Sequence, residues 1–213
     1  MKRHPRALTI ALSVTLAVTL SSTVVGCDEL TSSLGGGGGD DFSDGRTNSA
    51  ATLVTSLPSK DAVRAAYNQS ATTPEGAVKV WLTVVMMATS GNLSEHLRGR
   101  ELLTELTPDL QGDPSPWWER TSTDRFVERI NTKAYIFGSY AVGATPANGY
   151  ALDPNGWQLN VESSAQDGYG RGWRVSIRSG GADTSRPVYL QQIDGLWYID
   201  EFANVYVDIR PPE

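Results

Sequence analysis

One segment of the chain, from Val80 to Ala88, constrains the fold more than any other, because Thr83 is its only polar residue. Apolar side chains recur at helical spacing from Ala77 onward, which predicts a helix. A helix that is apolar on every side has to be buried on every side. The rest of the chain must therefore supply the cover. The β-branched residues in this segment make a buried strand the alternative.

The residues around this segment predict where the helix begins and ends. Thr72 and Glu75 have the spacing of a capping box, Pro74 suits a first turn, and Gly91 stops the pattern. Similar reasoning predicts three further helices. They lie over residues 59–67, over residues 93–106 with an interruption at Gly99, and around Phe126, Val127 and Ile130.

The second half of the sequence changes from helical to strand periodicity. Short segments rich in aromatic and β-branched residues alternate with Gly, Asn and Asp, which predicts antiparallel strands. The predicted strands cover residues 135–142, 157–161, 172–177, 188–193 and 196–200. Asp194-Gly195 is a strong hairpin signal between the last two. Helices followed by strands indicate an α+β fold, with N-terminal helices packed on a curved antiparallel sheet.

The first 27 residues indicate export and lipid attachment. Lys2, Arg3 and Arg6 precede an apolar stretch over residues 7–26, as in a secretory signal. The stretch ends in Val24-Val25-Gly26-Cys27, which resembles the lipobox of bacterial lipoproteins. That resemblance implies a signal peptide over residues 1–26 and a Cys27 that carries palmitate or similar acyl chains. A retained transmembrane anchor is the alternative.

Composition divides the chain from Cys27 onward into a tether and one domain. Residues 27–51 include five consecutive glycines, Gly35 to Gly39, and few large apolar side chains, which predicts a flexible tether. Residues 52–213 have the usual length of a single α+β domain. Acyl chains on Cys27 would hold this domain at a membrane of the bacterial cell envelope. Asp28 resembles an inner-membrane retention signal, but the choice between inner and outer membrane stays open.

Charge and composition exclude several classes of function. The chain beyond Cys27 has 15 basic and 24 acidic residues, a net charge of −9 that disfavours nucleic acid as a partner. One cysteine and two histidines leave little for a disulfide framework or a metal site. No nucleotide-binding or nucleophile-elbow motif is present, so no cofactor is predicted.

Two family resemblances extend into the domain. The last predicted hairpin, from Val188 to Ile199, resembles that of the nuclear-transport-factor-2-like superfamily, which implies a cone-like sheet around a long helix. Residues 140–150, 179–188 and 208–211, together with Trp197, resemble a family of uncharacterised bacterial domains. This second resemblance implies a relative but no activity.

Five residues are candidates for ligand binding. Arg178 and Arg186 flank a Gly-Gly segment that also contains Asp183, and exposed amides beside arginines can bind an anion. The alternative is a loop in which Asp183 and Arg186 brace each other and Pro187 starts an edge strand. Trp117 and Trp118 stand in a proline-rich loop, where they line a groove or, alternatively, cap the core.

Catalysis is the weaker hypothesis. The sheet half contains five carboxylates, Asp183, Asp194, Asp200, Glu201 and Asp208, whose spacing fits a charged rim as well as an acid–base pair. His96 would be the only histidine of the mature chain. The sequence therefore favours a non-catalytic module that binds an envelope protein or a small ligand. A cone-fold enzyme with a small organic substrate and a structural protein without a ligand are the alternatives.

Overall fold

Helix α2 (Pro74–Ala88) occupies the centre of the domain in the computed structural model, which describes residues 57, 59–111, 115–153 and 156–213. Every residue from Gly76 to Ala88 except Met86 is buried. The predicted helix is therefore confirmed, and the alternative strand is wrong. Its first turn differs in one detail from the prediction, since Thr73 and not Thr72 is the N-cap and accepts a hydrogen bond from the Gly76 amide.

In the described residues, four other α-helices surround or adjoin α2. Ser59 caps α1 (Lys60–Ser70) and Asn92 caps α3 (Leu93–Leu106), each by accepting a backbone amide hydrogen bond. The remaining two are α4 (Asp124–Thr132) and α5 (Tyr135–Gly138). In the described ranges no helix combines the length and the apolar character needed to cross a bilayer. The predicted signal peptide, Cys27 and the tether lie outside the described residues.

The sheet has four antiparallel strands in the order β1 (Val161–Gln166), β2 (Trp173–Ile177), β3 (Arg186–Ile193) and β4 (Leu196–Glu201). Its inner face contributes five side chains with no solvent exposure to the core, Val175, Ile177, Val188, Leu190 and Ile199. Strands β1, β2 and β4 contact α2. Asp194 and Gly195 both have positive φ, as a two-residue hairpin turn requires. The predicted α+β class and its last hairpin are confirmed.

Two predicted strands are replaced by other structure. Residues 135–142 form α5 and a single bridge from Ala141 to Leu159. Ile136 and Phe137 are both buried, and their amides donate to the Lys133 and Ala134 carbonyls, as in a helical turn, rather than to a neighbouring strand. Most of the predicted strand over 157–161 is likewise irregular, and β1 begins only at Val161.

Helix α3 is continuous at Gly99, where the sequence predicted an interruption. A Cβ at Gly99 would lie 2.4 Å from the Ala88 nitrogen of α2. The glycine therefore serves close packing of the two helix backbones. Next to this contact, Nδ1 of His96 donates a hydrogen bond to the Ala88 carbonyl.

Aromatic side chains complete the cover of α2. Phe126 lies at the middle of this group, with ring centroids 4.8 Å from Phe202 and 5.4 Å from Trp117. Trp81 of α2 packs on Phe202 at 5.1 Å, and its Nε1 donates to Thr107 Oγ1 at 3.0 Å. The core is therefore closed by residues from α4 and from the segment after β4.

The packing of α3 on α2 predicts that Gly99→Ala destabilises the domain by about 1–3 kcal/mol, the usual effect of overpacking. Gly91→Ala is the matched control, since a Cβ there has no atom within 4 Å. Urea unfolding of both variants measures the difference. Equal midpoints for Gly99→Ala and Gly91→Ala would contradict the close approach of the two helices.

Candidate functional site

The three segments that resemble uncharacterised bacterial domains meet at one place in the fold. The Tyr150 hydroxyl donates to the Arg210 carbonyl at 2.6 Å, and the Arg210 amide donates to the Gly181 carbonyl at 2.9 Å. The Glu213 amide donates to the Pro146 carbonyl at 3.1 Å. We call this region, residues 139–150, 179–187 and 207–213, the C-terminal junction.

The Gly-Gly pair serves close packing in this junction. A Cβ at Gly180 would lie 1.8 Å from the Ala144 carbonyl oxygen, and one at Gly181 would lie 2.1 Å from the Tyr150 hydroxyl. Neither glycine adopts positive φ. Glycine is required at both positions because there is no room for a side chain, and not because of a special backbone conformation.

Backbone amides of the same segment donate to protein oxygens. The amide of Gly180 donates to the Ser139 carbonyl at 2.9 Å, and that of Gly181 to Ser179 Oγ at 3.0 Å. The Ala182 amide donates to the Ser179 carbonyl at 3.4 Å. An anion bound here would compete with these internal hydrogen bonds.

The charged candidates of this segment each contact a different partner. Arg178 Nη1 donates to Glu162 at 3.1 Å, and Asp183 lies 3.7 Å from Arg210. Arg186 donates to Thr184 Oγ1 at 2.7 Å and to the carbonyls of the C-terminal segment at Val207 and Asp208. The expected brace between Asp183 and Arg186 is thus replaced by contacts of both residues with the C-terminal segment. Anion binding by Arg178, Asp183 and Arg186 stays a prediction.

Pro187 lies in an inner strand and does not start an edge strand. Pairing between β3 and β4 begins only at Tyr189, opposite Glu201, while Pro187 pairs with Ser176 of β2. The missing amide hydrogen of Pro187 therefore removes no bond between β3 and β4.

The two candidate tryptophans have unequal environments. Trp117 is 1% exposed, packs on Phe126, and donates from Nε1 to the Arg100 carbonyl at 3.3 Å. Trp118 is half-buried, meets Trp117 edge to face at 5.5 Å, and lies under the Arg100 guanidinium at 5.8 Å. This geometry favours the core-capping alternative over an aromatic groove for Trp117.

Among the carboxylates of the sheet half, Asp200 interacts with a second acid. Burial raises the pKa of Asp109 above its ordinary value, and the negative charge of Asp200 raises it further. Within the described part of the chain, however, no group of three or more His, Cys, Asp or Glu side chains is placed to hold a metal ion.

The loop between β1 and β2, residues 167–172, is a feature that the sequence reasoning missed. Asp167 Oδ2 accepts the Tyr169 amide at 3.0 Å and the Arg171 amide and Nε at 3.4 Å. Burial opposes ionisation of Asp167, but these hydrogen bonds outweigh it and hold its pKa below the usual range. The alternating glycines of Asp-Gly-Tyr-Gly-Arg-Gly were the available sequence signal.

This loop and the β3–β4 hairpin lie at the same end of the sheet, because Trp173 pairs with Leu190 and Gln192 pairs with Trp197. Tyr169 is 87% exposed and Ile193 is 42% exposed. The half-buried rings of Trp173 and Trp197 are 5.5 Å apart. We call the end of the sheet formed by Tyr169, Trp173, Ile193 and Trp197 the hairpin-end surface. Trp173 and Trp197 lie on the core-facing side of the sheet, and Ile193 lies on the opposite side.

The base of this surface is held on both sides. Trp173 Nε1 donates to Ser164 Oγ at 2.7 Å on β1. The Trp197 amide donates to the Ala71 carbonyl at 2.8 Å, and the Tyr67 hydroxyl donates to the Trp197 carbonyl. The indole of Trp173 and the backbone of Trp197 are therefore fixed by hydrogen bonds to neighbouring elements.

Comparison with known families decides the relationship of the domain. A family described as a domain of unknown function (DUF6935) matches residues 56–213. The chain belongs to this family. The DUF6935 domain therefore includes the whole described fold, with both the C-terminal junction and the hairpin-end surface.

The curated relatives match about half of the chain. The chain is 26% identical to endothelin-converting enzyme 1 of Bos taurus over 106 residues. These residues are 49% of this chain and 13% of that protein. The corresponding protein of Mus musculus is 24% identical over the same shares. The chain thus spans about an eighth of the length of these relatives. No solved structure matches the DUF6935 chain.

Proposed function

We propose that this chain is a lipid-anchored protein of the bacterial cell envelope. Its DUF6935 domain would be a non-catalytic module that binds a partner through the hairpin-end surface. The single observation that carries the binding role is the exposed aromatic group on a preorganised loop at one end of the sheet. The proposed export and lipid attachment rest on the sequence, namely on the basic residues before the apolar stretch and on the lipobox that ends at Cys27.

The chemistry of the hairpin-end surface fits a protein partner. Binding energy at protein interfaces concentrates on a few aromatic anchors, tyrosine and tryptophan among them. Tyr169 is held at the tip of a loop whose backbone is tied to Asp167, so little conformational entropy is lost when it binds. Ile193 adds exposed aliphatic area at the same end.

Three polar groups that a catalytic mechanism could use are engaged in structural contacts. His96 donates from Nδ1 to the Ala88 carbonyl, Asp167 organises its loop, and Arg186 holds the C-terminal segment. These contacts support a binding module over a cone-fold enzyme. A structural envelope protein without a ligand is the other alternative, and a search for a crosslinked partner separates it from a binding module.

The relationship to the nuclear-transport-factor-2-like superfamily is part of the same proposal. Its support is a long buried helix packed on an antiparallel sheet whose last hairpin turns at Asp194-Gly195. In such an arrangement the inner face of the sheet covers the helix. The ends of the strands stay available for binding.

For the lipid anchor, we expect Cys27→Ala to abolish incorporation of labelled palmitate and to release the protein from the membrane fraction. Attachment of the acyl chains requires the cysteine, and about 0.8 kcal/mol per buried CH₂ is lost with them. Cys27→Ser, which keeps nearly the size of the cysteine side chain but lacks the thiol, is expected to give the same loss. Palmitate labelling that persists in Cys27→Ala would contradict the proposed anchor.

For the binding surface, we expect Tyr169→Ser to weaken binding of a partner identified by crosslinking in envelope membranes. Loss of an aromatic anchor typically costs about 2 kcal/mol, or about thirtyfold in Kd. Val142→Ser, at an apolar side chain that is 60% exposed outside the surface, is the control. The dissociation constant is measured with the purified partner.

Two outcomes would count against this role. The absence of any reproducible crosslinked partner from intact membranes would favour a structural protein without a ligand. A partner that binds Tyr169→Ser and wild type equally would show that binding uses another surface.

A further inference from the structure

Two leucines on the first turns of α3 are exposed to solvent. Leu93 is 70% exposed and Leu97 is 49% exposed, whereas the leucines in the second half of the same helix are buried in the core. Side chains four residues apart are neighbours on a helix surface, so these two form one apolar area. We call Leu93 and Leu97 the leucine patch. The proposed binding of a partner at the hairpin-end surface uses neither of them.

The leucine patch lies at the end of α2, because α2 and α3 run antiparallel. A Cβ at Gly99 would meet Ala88, the last residue of α2. Two turns earlier in α2, Trp81 donates a hydrogen bond to Thr107, which directly follows α3. The first turns of α3 therefore lie beside and beyond the end of α2.

The start of α1 lies at the same end of the domain. Lys60 pairs with Glu101 of α3. One turn further along both helices, Arg64 pairs with Glu105 at 2.8 Å. Helix α1 therefore runs beside α3 in the same direction. Leu97 precedes Glu101 by one turn, so the leucine patch extends past the first turn of α1, on the side where the chain that leads from Cys27 joins the domain.

The hairpin-end surface lies at the other end of α2. The Trp197 amide donates to the carbonyl of Ala71, two residues before Thr73, the N-cap of α2. The leucine patch and the hairpin-end surface are therefore separated by roughly 22 Å, the length of a 15-residue helix.

From this arrangement we infer that the leucine patch is a membrane contact, which inserts into the headgroup boundary of the bilayer that holds the acyl chains of Cys27. The inference rests on the proposed lipid anchor. The predicted tether and the residues up to α1 would span about 30 Å, which keeps the leucines at the bilayer at an effective concentration on the order of millimolar. A weak contact is then sufficient. The hairpin-end surface would point away from the membrane, towards its partner.

The size and the surroundings of the leucine patch fit a bilayer better than a protein. A usual protein interface buries about 800 Å² on each partner, which two leucine side chains cannot provide. A small apolar helix face can, however, enter the boundary between headgroups and acyl chains. The nearby carboxylates have partners within the protein, since Glu101 pairs with Lys60 and Glu95 accepts a hydrogen bond from Ser90 Oγ at 2.6 Å.

The test is fluorescence quenching in the full chain, isolated in detergent from envelope membranes and reconstituted into phosphatidylcholine vesicles. A bimane label is attached to Gly91→Cys, where an added Cβ has no atom within 4 Å. This position lies two residues before Leu93. Gln192→Cys, at an exposed residue near the end of β3, is the matched control. We expect phosphatidylcholine with a nitroxide on its acyl chain to quench the label at position 91 and not the label at position 192.

Leu93→Ser combined with Leu97→Ser, in the Gly91→Cys chain, tests whether the leucines cause the contact. Both side chains are exposed, so the substitutions leave the core intact. We expect the population in contact with the bilayer to fall by about tenfold or more, because most of the apolar area of the patch is removed. The variant should still float with the vesicles, since its anchor at Cys27 is unchanged.

Flotation of the vesicles distinguishes failure of the anchor from failure of the membrane contact. Protein that does not float with them would overturn the anchor and the contact together. Protein that floats, with labels at positions 91 and 192 quenched equally, would leave the anchor intact and overturn the contact. Undiminished quenching in the double serine variant would also overturn it. Disulfide crosslinking of two chains through Gly91→Cys would show that a second copy covers the patch instead of lipid.

Discussion

Complete enclosure of α2 is the physical constraint on which the rest of this structure depends. A helix of 15 residues that is apolar on nearly every side needs cover on all of them, because any exposed side would leave a large apolar patch in water. Helices α1 and α3 cover one side and the inner face of the sheet covers another. The aromatic group around Phe126 closes the remainder.

This enclosure explains features that otherwise look unrelated. Gly99 allows α3 to approach the end of α2, and the segment after β4 places Phe202 on Trp81. The C-terminal junction then fixes that segment through hydrogen bonds from Arg186 and Tyr150. The last residues of the chain are therefore part of the core's support, and the resemblance to a bacterial family lies largely in this support.

Much of the fold was predictable from the sequence because its signals are local. The buried helix, its proline-containing first turn and the Asp194-Gly195 hairpin all follow from short patterns of residues. The strand predicted over residues 135–142 was wrong because aromatic content alone does not separate a buried helical turn from a strand. Here long-range packing of Ile136 and Phe137 decided the outcome.

The candidate sites were less predictable, since they depend on contacts between distant segments. The half-buried rings of Trp173 and Trp197, for example, come together only through the pairing of β2, β3 and β4. Similarly, the Gly-Gly pair suggests a flexible loop until Ala144 and Tyr150 are seen to occupy the space of a side chain.

Native-state hydrogen exchange tests the central role of α2 most directly. If the helix is enclosed on all sides, the amides from Val80 to Val85 exchange only by global unfolding. Their opening free energy then equals the free energy of unfolding measured with denaturant. Exchange of these amides at a clearly lower free energy than those of β2 and β3 would contradict this role, because α2 would then open while the sheet remained folded.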